Sequence, residues 1–188
     1  MNKPRIIVGI SGASGAALGV EALRVLRQLE VETHLIVSDM ARQTLAQECS
    51  LSLDQVKEMA DHWHDNRALG SGLASGSFRT LGMIVAPCSI RAMSEIATGV
   101  TGTLLGRAAD VTLKERRRLV LLVRESPLHA GHLRNMATLS DLGAVIAPPV
   151  PAFYAMPKSV DDIVANIIGR AIDLFGLDTG TVIRWREN

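Results

Sequence analysis

Aromatic side chains are nearly missing: two Trp, one Tyr and three Phe occur among 188 residues, so the few near the chain end become worth following. Cysteine is also scarce. Cys49 and Cys88 cannot make a disulfide framework and are expected as reduced thiols, which suits a cytoplasmic protein. No charge of one sign dominates, because 20 Lys and Arg face 19 Asp and Glu. That balance argues against a nucleic-acid footprint or a polybasic membrane patch, though scattered positives can still line a pocket. Long apolar runs are missing as well. Ile6–Ile10 is too short for a signal-peptide core and is followed by Ser and Gly. Nothing approaches the roughly 20 apolar residues of a membrane span. What is present is a 47% apolar chain, enough to bury the core of one domain over 1–188.

Short apolar runs alternate with helical patterns. Strands are predicted at Ile6–Ile10, Thr33–Val37, Met83–Ala86, Leu119–Val123 and Ala144–Ala147. Two of them are Leu-, Ile- and Val-rich with little alternation, as in a parallel sheet covered on both faces. Helical patterns occupy Ala16–Leu29, Leu53–Met59, Ala92–Ala97, Gly102–Leu113 and Leu133–Leu139. Ser159 to Asp162 resembles a capping box opening a last helix that runs to about Phe175, with Gly176 ending it. The alternation implies right-handed βαβ units and an α/β fold with a three-layer, doubly wound parallel sheet. The Gly- and Ser-rich stretch Gly70–Thr80 is expected as a loop before the third predicted strand.

The first strand runs into "GISGASG", in which Gly9, Gly12 and Gly15 are spaced three and three. A dinucleotide fingerprint needs two and then three, and no Gly-Lys-Ser/Thr follows, so neither that motif nor a Walker-type loop fits. No nucleophile elbow is formed around Ser11 or Ser14. A strand, a tight turn with hydroxyls and a helix start remain, which suits a phosphate monoester or an ordinary βα turn. Ligands of open α/β sheets bind beyond the carboxyl ends of the strands. Those positions hold Ser38, Pro87-Cys88-Ser89, Arg124-Glu125 and the segment "PPVPAFYAMP" with Tyr154, a set more polar than a core tolerates.

Six segments in order, "GISGASG", "ASGSF", "APCS", "GRAADVTLKERR", "LVRESPL" and "PPVPAFYAMP", resemble the UbiX-type flavin prenyltransferases. The resemblance runs from Arg5 to Trp185 and implies a Rossmann-like flavoprotein fold. It implies transfer of a dimethylallyl group from dimethylallyl phosphate to reduced FMN, giving prenylated FMN for a separate UbiD-type decarboxylase. Gly12, Ala13, Ser14, Ser38, Ser89, Ile90, Arg91, Ala92 and Arg124 match flavin contacts. Ser75, Arg107, Lys114 and Glu125 match the catalytic set on the prenyl-phosphate side, with Tyr154 and Arg170 also on that side, and Glu48 and Trp185 match further lining positions. The resemblance also implies a homo-oligomer, commonly a dodecamer, whose pockets are completed by neighbours. The chain departs from the pattern at Asp39-Met40, Glu95 and Arg118.

The chemistry suits these residues. A phosphate leaving an allylic carbon gathers negative charge, which preorganised Arg and Lys stabilise in a site closed to water. Arg107, Lys114 and Arg170 supply three positives. No Asp-rich motif of the kind that holds magnesium around a diphosphate is present, and no metal site is expected. Glu125, if protonated, could donate to the leaving phosphate; if ionised, it could take a proton during ring closure. His129 with His132 and His62 with His64 read as solvated, because a zinc site needs more ligands than either pair supplies. Cys88 has no evident base and reads as a small buried thiol. "KERRR" (114–118) reads as a solvated face apart from Lys114. Two other functions compete. A cysteine-type decarboxylase would need a Pro-x-Met-Asn clamp, which the chain lacks. A non-catalytic flavin carrier would have no use for a second phosphate site.

Overall fold

The computed structural model describes residues 3–185. In chain order the elements are β1 (Arg5–Ile10), α1 (Ala16–Gln28), β2 (Glu32–Val37), α2 (Asp39–Glu48), α3 (Leu53–Glu58) and β3 (His62–His64). There follow β4 (Gly82–Cys88), α4 (Ile90–Ala97), α5 (Leu104–Lys114) and β5 (Arg118–Val123). The last are α6 (Ala130–Asp141), β6 (Val145–Ile146) and α7 (Val160–Asp173), with short 3-10 turns at Gly72–Ala74 and Phe153–Ala155. The six strands form one sheet in the order β3-β2-β1-β4-β5-β6, and every neighbouring pair is parallel.

Period-two geometry divides the strand side chains between two cores. Ile6, Val8 and Ile10 of β1, with Leu35, Ile84 and Leu122, pack under α1, α2, α3 and α7. Ile7, Met83, Val85, Leu119 and Leu121 pack on the other face under α4, α5 and α6. This accounts for the unbroken apolar runs: both faces of the central strands are covered. The predicted capping box forms, with Ser159 and Asp162 satisfying each other's backbone amides, and Gly176 follows the helix with φ 75°. Among the described residues no helix is long and apolar enough to cross a membrane.

Two elements depart from the sequence expectation. α2 buries only Ala41 and Leu45, so its apolar stripe is too narrow to announce a helix; its start is fixed instead by Ser38, which accepts the Ala41 amide. β3 is a three-residue edge strand, His-Trp-His, paired to β2 where His34 faces His62 in register. The histidine segment expected as a solvated stretch is therefore part of the sheet. The Trp63 ring packs against the first core and under the Lys57 ammonium, 4.3 Å from its centroid.

α1 lies closely on the sheet at Gly19. A β-carbon there would come within 2.5 Å of the Ala86 carbonyl oxygen and 2.7 Å of the Ile10 side chain. A backbone carbonyl in a central strand cannot give way. Replacing Gly by Ala in a helix gains up to about 1 kcal/mol of propensity, but overpacking costs about 1–3 kcal/mol. Gly19→Ala is therefore expected to lower the urea midpoint at fixed protein concentration. An unchanged or raised midpoint would mean that α1 can lift from the sheet.

Candidate active site

The strand order reverses between β1 and β4, which opens a crevice at their carboxyl ends. Ser11, just past β1, is 1% exposed and ties the crevice together. Its hydroxyl donates to the Pro87 carbonyl (2.8 Å) and accepts the Ser89 amide (2.7 Å). The Ser38 amide donates to the Ile10 carbonyl at 3.0 Å, which holds the end of β2 beside that of β1. A cavity of about 340 Å³ lies above these residues.

Three helices point their amino ends at this cavity. Ser38, Ser89 and Thr103 are the caps of α2, α4 and α5, accept the amides of Ala41, Ala92 and Gly106 respectively, and all line it. Capping uses one lone pair of each hydroxyl and leaves its proton available to a ligand acceptor. The positive ends of the helix dipoles favour an anion at the same place. Asn66 completes the wall: its side-chain oxygen accepts the Leu105 amide (3.0 Å), and its carbonyl accepts the Leu104 amide (2.7 Å). Met40, Ile90 and Leu105 add apolar surface. Hydroxyl donors, helix amino ends and an apolar wall fit a phosphorylated flavin.

The glycine loop is shaped by its neighbours. A β-carbon at Gly12 would come within 2.3 Å of the Met40 β-carbon, so the close approach of α2 requires glycine. Gly15 caps α1 with φ 104°, a conformation that side chains disfavour. The first amides of α1 are not open: Glu48, at the end of α2, accepts from Gly15 N (2.8 Å) and Ala16 N (2.9 Å). Burial pushes the Glu48 carboxyl up, but those two amides, the Ser14 hydroxyl and the Arg124 charge hold it below its ordinary value. Glu48 thus stands with the loop and Arg124.

The sequence-predicted residues fall into three groups in one chain. Gly12, Ser38, Ser89, Ile90, Arg91, Ala92 and Glu125 line the strand-end cavity; Ala13 and Ser14 continue the loop from Gly12, Arg124 precedes Glu125, and Glu48 interacts with Ser14, Gly15 and Arg124. The Arg124 amide donates to the Cys88 carbonyl at 3.0 Å, and the Glu125 carboxylate accepts the Ser126 amide at 2.9 Å. The second group, Ser75, Arg107 and Lys114, lies along α5. Arg107 donates to the Ala74 carbonyl (3.3 Å) and pairs with Asp110 (2.6 Å), while Lys114 pairs with Glu115 beside Gly76. Leu105 touches the cavity, and Lys114 is nine residues further on, roughly 13 Å along a helix rising 1.5 Å per residue. The third group is C-terminal. Tyr154 meets Trp185 edge to face with centroids 5.2 Å apart, and Arg170 shares Asp173 with Arg184.

The remaining candidates resolve simply. Cys88 is fully buried and its thiol is pushed up to about 12 by burial, so it is inert. His129 caps α6 by accepting the amides of Gly131 and His132. Arg117 is not a solvated member of the basic run, because it donates to the carbonyls of Phe78 and Gly76 (2.7 Å each) and so fixes the loop carrying Ser75. Two of the departures have charged partners, Asp39 with Arg67 at 3.0 Å and Glu95 with Arg91 at 2.8 Å, and Arg118 is the exposed first residue of β5. Asn66 and Thr103 are not legible as site residues from the sequence: Thr103 carries the signal of a capping hydroxyl just before a helical pattern, and Asn66, in a turn after β3, carries none.

Residues 1–172 match the family model Flavoprotein. The flavin prenyltransferase UbiX of Escherichia coli (strain K12) is 55% identical over 174 residues, 92% of each chain. The crystal structure of AnUbiX in complex with FMN and dimethylallyl pyrophosphate superposes with a TM-score of 0.98 at 46% identity, covering all of both chains. A dodecameric FMN-dependent UbiX-like decarboxylase from Escherichia coli O157:H7 superposes with a TM-score of 0.95 at 47% identity over 97% of this chain and 99% of that one. Flavoprotein fold, strand-end crevice and relatives agree, and the chain belongs to the UbiX family of flavin prenyltransferases.

Proposed function

We propose that this chain, working as one domain, joins the dimethylallyl group of dimethylallyl phosphate to N5 and C6 of reduced FMN with release of inorganic phosphate. The observation that carries this reading is the convergence of three hydroxyl-capped helix ends and Glu125 on one strand-end cavity. The solved relative in complex with FMN and dimethylallyl pyrophosphate supports it.

Reduced FMN, when bound, supplies the nucleophilic ring atoms. The Gly12–Ser14 loop, Ser38, Ser89 to Ala92 and Arg124 hold and orient it, so the reacting atoms meet in a fixed geometry. Arg107, Lys114 and Arg170, with the Ser75 and Tyr154 hydroxyls, stabilise the charge gathering on the departing phosphate. Glu125 handles a proton at the phosphate or at the closing ring. Glu48 and Trp185 line the pocket. No metal is required for this charge balance.

The three groups of residues occupy separate parts of one chain, which favours assembly into a homo-oligomer in which neighbours complete each pocket. Phe153 (74% exposed) and Met156 (78%) leave an apolar surface beside Tyr154 suited to burial against another subunit. A dodecamer is the favoured form, as in the Escherichia coli O157:H7 relative. The product serves a UbiD-type decarboxylase, and the expected setting is the cytoplasm.

Anaerobic incubation with reduced FMN and dimethylallyl phosphate, followed by mass spectrometry of the flavin, is expected to show one added C5 unit; unchanged flavin would refute the reading. Glu125→Gln should keep FMN binding and slow transfer by about 10²–10⁴-fold. Wild-type turnover in that variant would remove Glu125 from proton handling.

The two phosphates should separate by mutation. Ser14→Asp places a second carboxylate beside Glu48 and is expected to abolish FMN binding. Arg170→Ala is expected to leave flavin affinity nearly intact while raising the dimethylallyl phosphate requirement. Equal loss of FMN in both variants, read by flavin titration, would mean that the site is not divided in this way.

A further inference from the structure

A cluster of metal-binding side chains lies at the sheet edge, away from the flavin crevice. Glu32 opens β2, whereas Ser38 follows its other end, roughly 20 Å away at 3.3 Å per residue. Glu32 and His34 are two apart on the strand, so both leave the same face. His62 on β3 is the register partner of His34. One Glu32 carboxylate oxygen lies 3.1 Å from His34 Nε2 and 3.3 Å from His62 Nε2. The three ligand atoms all fall within 4.8 Å of one another. Ligands at 2.0–2.1 Å from a tetrahedral zinc ion are roughly 3.3–3.5 Å apart. The strand framework therefore already sets near-ligating separations.

We propose that Glu32, His34 and His62 form a surface site for a divalent transition metal of the zinc class, with a remaining position open to water beside the exposed His62. Two imidazoles and one carboxylate favour zinc or its neighbours over magnesium or calcium, which prefer all-oxygen sites. His34 is 4% exposed and is held on both sides, which fixes the ring. Ligation through Nε2 places the His34 proton on Nδ1, which lies 3.1 Å from His64 Nε2; His64 Nδ1 in turn lies 3.0 Å from the Ser71 hydroxyl. Each member of this chain can both donate and accept, so the direction of its hydrogen bonds can reverse, with the proton shared between His34 and His64 lying on His34 when the ion is bound. His64 is thus the positioning residue behind a metal-binding histidine, the usual second support of such sites. Arg5 opposes the site, since its Nε donates to the same Glu32 oxygen at 3.0 Å. Its guanidinium, lying over the Phe78 ring at 5.1 Å, is partly exposed and can withdraw.

The test uses the full chain, free of any histidine tag and dialysed against a chelator, titrated with Zn²⁺ alone by calorimetry and with Co²⁺ alone by visible absorption. One ion per chain and the d–d bands of four-coordinate cobalt are expected. His62→Ala should abolish both, and His64→Ala should weaken binding by about 10–100-fold. Arg5→Gln removes a positive charge a few ångströms from the ion and should tighten binding on the order of tenfold. Circular dichroism checks that each variant is folded, and Glu32→Gln replaces His62→Ala if the latter is not. Absence of stoichiometric uptake, or uptake unchanged in a folded His62→Ala or Glu32→Gln, would overturn the proposal.

Discussion

The Ser11 hydroxyl is the hinge pin of the molecule. Adjacent parallel strands normally stay together along their length, but at the switch point the chains leaving β1 and β4 must part to opposite faces of the sheet. Ser11 bonds to both Pro87 and Ser89 at the place where they part. One small donor–acceptor group, fully buried, thus satisfies the Ser89 amide and adds a second donor to the Pro87 carbonyl, which also accepts the Ser11 amide at 3.2 Å, so the two chains are held at a fixed spacing where they part. A buried unpaired carbonyl or amide costs about 1–3 kcal/mol, so the arrangement is stiff. The cap of α4, the position of Arg124 through the Cys88 carbonyl, and the place of Ser38 beside Ile10 all follow from that junction.

How much of this could be read in the chain depends on what each residue packs against. β1, β2, β4 and β5 were legible because apolar side chains fill both faces. β3 was not, since an edge strand of His-Trp-His owes its form to its neighbour and carries no pattern of its own. α2 was hidden for the opposite reason: its capping Ser38 was visible, but only two buried residues mark its face. In the site, residues directly after strands were legible, because chain direction alone places them at the crevice. Asn66 comes from a loop and reaches it only through tertiary contacts with α5, whereas Thr103 is there because it caps α5, a helix whose apolar pattern does not by itself say that it points at the crevice. The distribution of the predicted residues over three surfaces was also beyond sequence reasoning, as it depends on which side of α5 carries Arg107 and Lys114.

The basic run after α5 shows the same lesson in small. A string of charges is ordinarily solvated, yet Arg117 uses its fork of donors on two loop carbonyls. This holds the Ser75 loop against α5 without an apolar anchor at every position. Lys114 then lies beside Gly76, where a side chain would require the charged ends of Lys114 and Glu115 to move aside. The loop's shape is thus fixed despite its glycine- and serine-rich composition.

The carboxylate of Glu48 on the first amides of α1 has a wider meaning. A helix amino end favours an anion, whether a ligand or a side chain supplies it. Here the chain supplies its own anion, tethered to α2 and balanced by Arg124. The end of α2 and the start of α1 are consequently tied to each other through one side chain. The glycine loop is thereby anchored at both ends by the chain itself, at Ser11 to the strand junction and at Gly15 to the end of α2, so its shape is set before any ligand contact is counted.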